Sequence, residues 1–186
     1  MDEYIEEYDF EGKPTGNKIL KSYAHKNGVF HSTIHLWLYT SDREILIQKR
    51  SKNKTINPDV WDIISVAGHI GYSESKKNAA IREAQEEIGV KLNDFDLKNI
   101  GIYYNKKKFK HLIDAEFHNV FISEIKKESI DKNFRNEEVD EIKFLRIDEI
   151  KNIINNKTEG YLILDDSVQY YNDVLSKINS IIGLDL

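Results

Sequence analysis

The chain has no cysteine among its 186 residues. That excludes disulfides, thiolate metal sites and a cysteine nucleophile, and it fits a reducing cytoplasm. No basic surplus is present either. Against 27 lysines and arginines stand 32 acids, a formal net charge of −5, which argues against binding a nucleic-acid polymer or an anionic membrane. Long hydrophobic runs are also missing. Stretches such as Ile34 to Tyr39 fall far short of the ~20 residues that span a bilayer, and the acidic, charge-interrupted Met1 to Phe10 does not read as a signal peptide. Repeats, low-complexity tracts and linkers are absent, and at ~150 residues per domain the length suits one domain with an elaboration. The expectation is a cytoplasmic globular protein.

What is present alternates between two periods. Glu3 to Phe10 reads as a strand, followed by turn-rich Glu11 to Gly16. His31 to Thr40 and Glu44 to Arg50 read as a hairpin, Ser51 to Asp62 as a loop, and Ile63 to Val66 as a short strand. The period turns helical from Ser75 to Ile88, with Gly89 as the stop. Strands follow at Asn99 to Asn105, Leu112 to Ile125 and Glu141 to Arg146, the first two joined by the lysine-rich segment 106–110. Helices follow at Ile147 to Asn155 and Asp166 to Ile181. Strands interleaved with helices point to an α/β layered sandwich with a mixed sheet.

The segment Gly68 to Val90, GHIGYSESKKNAAIREAQEEIGV, carries the chemistry. At ~100° per residue, Ile81, Ala84 and Ile88 fall on one side of the helix, and Glu83, Glu86 and Glu87 cluster roughly opposite. Three acids in one turn raise each other's pKa unless a cation neutralises them, and a hard ion such as Mg²⁺ suits oxygen ligands and substrate phosphates. By composition alone such a run is a solvated acidic face. The spacing says otherwise. Gly68, Glu74 and the run Arg82 to Val90 resemble the Nudix box at every fixed position, a coincidence expected on the order of once in a million chains. Ala84 is the soft departure, since a larger aliphatic residue is commoner there.

The resemblance implies the Nudix fold, an α/β/α sandwich with a mixed sheet, and Mg²⁺- or Mn²⁺-assisted hydrolysis of a small organic diphosphate or nucleotide. It implies that Glu83, Glu86 and Glu87, with the Ala67 carbonyl, hold the metal. Gly68, Glu74, Arg82 and Gly89 are implied to be structural, and Glu86, Glu87 or Glu116 to be the base. Beyond the box, His25, His31, Trp37, Gln48-Lys49-Arg50, Lys54, Pro58, Trp61 and Ser65 to His69 resemble isopentenyl-diphosphate isomerases and similar hydrolases. This implies a second metal group of His25, His31, His69, Asp114 and Glu116, with Arg50, Lys54 and Lys21 on the diphosphate. Ala67 stands where the isomerase has its cysteine, and the three box acids are intact. Both departures favour a hydrolase over an isomerase, with a non-catalytic nucleotide-binding module as a third reading. His35, His111 and His118 read as ordinary hydrogen-bonded histidines, Trp37 and Trp61 as core. The layout expected is an N-terminal extension (1–28), a Nudix domain (29–160) and a C-terminal helix (161–186). The N-terminal strand is available for pairing in a homodimer.

Overall fold

A computed structural model describes residues 2–108, 111–163 and 168–184. Its strands are β1 (Tyr4–Tyr8), β2 (Pro14–Leu20), β3 (His31–Tyr39), β4 (Glu44–Arg50), β5 (Trp61–Asp62), β6 (Val66–His69), β7 (Lys98–Lys108), β8 (Ile113–Glu124), β9 (Val139–Arg146) and β10 (Tyr161–Leu162). The helices are α1 (Lys21–Asn27), α2 (Lys76–Ile88), α3 (Ile147–Asn156) and α4 (Val168–Leu184). No helix among the described residues is long and apolar enough to cross a membrane.

β3 organises the sheet. It runs parallel to β8 along its whole length and antiparallel to β6, and every one of its residues is buried. A strand covered on both faces separates two apolar layers by its period of two. Ile34, Leu36 and Leu38 pack with Ala80, Ala84 and Ile88 of α2, whereas Trp37 and Tyr39 pack with Ile150 of α3 and Val174 and Leu175 of α4. The result is an α/β/α sandwich.

The hairpin β3–β4 forms but splays at once, with Tyr39 opposite Ile45 as its one ladder pair. β4 turns instead to β5 and β9, and β3 to β6 and β8. Ser65 bridges the parting strands, donating its hydroxyl to the Leu46 carbonyl at 2.6 Å and accepting the Leu38 N–H at 2.9 Å. The gap beyond it becomes the cleft.

Two local expectations need correction. The strand expected at Ile63 to Val66 lies at Val66–His69, because Asp62 Oδ1 takes the Ile64 N–H at 3.1 Å and bends the chain there. Pro14 to Gly16 opens β2 rather than a turn, and α1 follows it directly. β2 is mostly exposed and held by backbone pairing to β1, so it carries no alternating apolar pattern. β1 is paired within the chain on both sides, with β2 and at Glu7 with His31 of β3, which leaves β2 as the outer edge. The start of the helix expected from Asp166 and part of the lysine-rich segment, 109–110, lie outside the described residues.

Candidate active site

The gap between the β3–β6 and β4–β5 halves opens a cleft of about 440 Å³. β6 and α2 form one lip, and the loop from Arg50 to Asp62 forms the other.

α2 begins where Ser75 Oγ accepts the Asn78 N–H and stops at Gly89, whose φ of 69° is left-handed. Its three glutamates differ in setting. Glu86 is exposed, whereas Glu83 is largely and Glu87 almost wholly buried. The expectation that all three stand opposite the buried face is therefore corrected: Glu87 lies beside Ala84 and Ile88 among the buried residues and points into the split sheet. There Glu87 Oε2 accepts from Gln48 Nε2 at 3.0 Å and from the Ala67 N–H at 3.3 Å, and Lys54 Nζ lies 4.0 Å from Oε1. Burial pushes its carboxyl up to about 7, against the pull of Gln48 and Lys54. Burial likewise raises Glu83 to about 6, opposed by Arg82. Glu83 lies so close to Gly68 that a Cβ there would stand 2.1 Å from its carboxyl carbon, so any larger residue would push the Glu83 carboxylate out of place.

Arg82 ties the segment together. It donates to Glu74 at 2.9 and 3.0 Å, to Glu83 at 2.8 Å, to Glu86 at 3.0 Å and to the His69 carbonyl at 3.0 Å. Glu74 in turn accepts the Gly71 N–H at 2.8 Å.

Strand register builds a second group. His31 lies opposite Glu116, and Thr33 opposite both His118 and His69, while α1 adds His25. One ligand atom each from His25, His31, His69 and Glu116 lie within 4.8 Å of one another. Asp114 accepts from His25 Nδ1 at 2.8 Å, and the Val29 carbonyl accepts from His31 Nδ1 at 2.9 Å. Both rings therefore turn Nε2 inward, where His25 Nε2 lies 3.0 Å from His69 Nε2. His31 Nε2 is 3.3 Å from Glu116 and has no other partner. Burial disfavours charge on Glu116, yet His31, His118 and His69 outweigh it and hold the carboxyl well below its usual range. Convergent imidazole nitrogens, an orphaned buried Nε2 and a carboxylate behind His25 suit a divalent metal.

The remaining anticipated residues divide. Lys54 and Lys21 line the cleft, paired with Glu138 and Glu3. Arg50 also lines it, but its guanidinium already serves the carbonyls of Ile56 and Asn57 and faces Asp62, holding the loop. Ala67 lines the cleft as a small apolar wall. Trp37 is core; Trp61 is half-buried under the Lys143 ammonium. His111 is exposed. Gln48, Glu138, Thr33, His35 and His118 were not anticipated at the site. The period of two on β3 and β8 carries the signal for His35 and His118, which share a face with His31 and Glu116; Glu138 has no such signal.

Comparison with known proteins agrees with this geometry. The NUDIX domain family matches residues 29–165. A Nudix hydrolase of Clostridium acetobutylicum is 31% identical over 95% of this chain and 87% of its own. An isopentenyl-diphosphate Delta-isomerase of Photorhabdus laumondii is 28% identical over 88% of each. Among solved structures, DR0079 from Deinococcus radiodurans superposes with a TM-score of 0.65 at 18% identity, covering 83% of this chain and 90% of that one. The chain belongs to the Nudix hydrolase family and is a Nudix pyrophosphohydrolase.

Proposed function

We propose that the protein is a divalent-metal-dependent hydrolase that cleaves the diphosphate linkage of a small organic diphosphate or nucleotide by water attack on phosphorus. The reading is carried by one observation: the Glu83, Glu86 and Glu87 carboxylates line a single cleft with His25, His69 and Glu116, beside Lys54 and Lys21, and His31 lies buried directly behind that second group.

Glu83, Glu86 and Glu87, with the Ala67 carbonyl, would hold Mg²⁺ or Mn²⁺, whose charge would offset the burial that raises Glu87 to about 7. The histidine group with Glu116, backed by Asp114, would hold a second ion, for which mixed nitrogen and oxygen donors suit Mn²⁺ or Zn²⁺. When bound, the metal neutralises phosphate oxygens and lowers the pKa of a water.

The chain's own residues do the rest. Glu87 is the base we favour among Glu86, Glu87 and Glu116, because its carboxyl is held inside the cleft by Gln48 and the Ala67 N–H with Lys54 beside it, whereas Glu86 is exposed and Glu116 is engaged by the histidines. The water oxygen bonds to phosphorus, the bridging P–O bond breaks, and the proton passes to Glu87. Lys54, 4.0 Å from Glu87, and Lys21 meet the anionic substrate. Arg82 fixes Glu83 and Glu86, and Arg50 holds the facing loop. Isomerisation lacks support because Ala67 has no proton to exchange.

The test is phosphate release from a diphosphate panel with Mg²⁺, Mn²⁺ or chelator, beside Glu86→Gln and Glu87→Gln. Metal-dependent turnover lost in both variants is expected. Conversion of isopentenyl diphosphate to its dimethylallyl isomer at enzyme-like rates would overturn the reading in favour of an isomerase, and ligand binding without turnover in favour of a binding module.

A further inference from the structure

A second groove, of about 610 Å³, leads away from the cleft over the loop between β6 and α2. Glu3, His69, Arg82 and Glu86 line both, so the two meet at the box acids. Tyr4 of β1 and Tyr72 of the loop wall the groove and are 50% and 39% exposed. Exposed aromatic residues scattered singly need no explanation. These two share a cation: the Lys18 ammonium of β2 stands 4.2 Å from the Tyr4 ring centroid and 5.5 Å from that of Tyr72. Both rings therefore face one solvent-open space, which a flexible lysine fills. The frame around that space is fixed. The Tyr72 N–H donates to the Tyr4 carbonyl at 2.9 Å, the Tyr72 hydroxyl donates to the Gly16 carbonyl at 3.4 Å, and Gly71 forms a β-bridge with Ile5. Among the described residues no leucine, isoleucine or valine lines this groove, so a hydrocarbon tail finds little there to cover it.

We propose that Tyr4 and Tyr72 form a specificity site that stacks a planar heteroaromatic ring of the substrate, a nucleobase, in the place taken by the Lys18 ammonium. The assignment rests on the hydrolase reading and narrows its substrate class from organic diphosphates in general to those carrying a base. Every base has a π-face, and stacking on aromatic side chains strengthens binding by about 10- to 100-fold. The exposed cation–π contact given up in exchange is worth only about 2- to 5-fold. The released ammonium stays beside an anionic substrate. Because the rings meet the base and not the phosphorus, they act on KM and leave kcat alone.

ADP and ribose 5-diphosphate test this, since they share ribose and diphosphate and differ only in the base. With Mg²⁺, wild-type kcat/KM for ADP exceeds that for ribose 5-diphosphate by about 10- to 100-fold. Tyr4→Ala and Tyr72→Ala each cut that ratio by about tenfold through KM, leaving kcat and the turnover of ribose 5-diphosphate unchanged. Tyr72→Phe keeps the wild-type ratio, because a phenyl face stacks as well. Equal kcat/KM for the two compounds in the wild type overturns the proposal. So does a ratio that neither alanine variant alters, or a variant that slows both compounds alike, since that is the mark of a structural role. Should an alanine variant fail to fold, Tyr4→Leu and Tyr72→Leu, which keep bulk without the π-face, are read in the same way. If neither compound is turned over, the wider diphosphate panel decides the hydrolase reading, and calorimetric titration of the same two compounds decides the site separately. Tighter binding of ADP that Tyr4→Ala and Tyr72→Ala weaken supports it, and equal or absent binding overturns it.

Discussion

At the scale of single residues, the site is governed by how much water each acid has lost. Glu87 has lost nearly all of it, and the consequence is a pH dependence with a definite sign. Between about 4.5, the ordinary glutamate value, and about 7 the folded chain keeps a proton that the unfolded chain releases. The folded state binds more protons in that window, so metal-free stability falls as pH rises through it, by on the order of 3 kcal/mol. Urea unfolding of the chelator-treated protein at pH 5 and pH 7.5 measures this. Glu87→Gln removes the larger part of the slope, leaving the share of Glu83, which burial raises to about 6, and lowers hydrolysis by about 10²- to 10⁴-fold. Saturating Mg²⁺ flattens the slope in the wild type, because the ion binds the ionised carboxylate. Gly68 is as demanding for a steric reason. Gly68→Ala drives a methyl into the Glu83 carboxyl and is expected to lose most Mg²⁺-dependent turnover with about 1–3 kcal/mol of stability, read by steady-state assay and denaturant titration.

At the scale of elements, α2 and the loop before it act as one unit. The helix had to start at Ser75 and stop at Gly89 for Glu83, Glu86 and Glu87 to reach the cleft, and both signals are local: a hydroxyl that takes the Asn78 N–H, and a residue free to adopt positive φ. Ser75→Ala costs about 1 kcal/mol, with activity retained because Ser75 touches none of the acids; thermal denaturation and turnover measured together check this. The extent of α2 was legible because capping and periodicity are short-range. Its exposed face was not. The assignment of Glu87 to the far side of the helix failed because neighbouring elements, not helical geometry, decide what is covered: Gln48 of β4 and Ala67 of β6 close over it. β2 and α1 escaped notice for a related reason, since β2 is a mostly exposed strand whose order comes from backbone pairing to β1.

At the scale of the whole molecule, the C-terminal helix reaches the site from the opposite end of the chain. Tyr170 on α4 receives Trp37 Nε1 and contacts His35 Nδ1, and His35 stacks on His118. Tyr170→Phe leaves the buried indole N–H without its acceptor and is expected to cost about 1–3 kcal/mol, a fall of several degrees in Tm by calorimetry. Gathering His25, His31, His69 and Glu116 is likewise a property of the assembled sheet, because α1, β3, β6 and β8 meet only when their register is set. The sequence alone determined the layered α/β architecture, the box helix with its caps, and the identity of the acids and histidines, since spacing and local propensity are written into neighbouring residues. Only the tertiary structure decided which of those groups lose their water, that Arg50 holds a loop, and that His35 and His118 wall the inner cleft. Burial and register depend on segments far apart in the chain, and no local pattern encodes them.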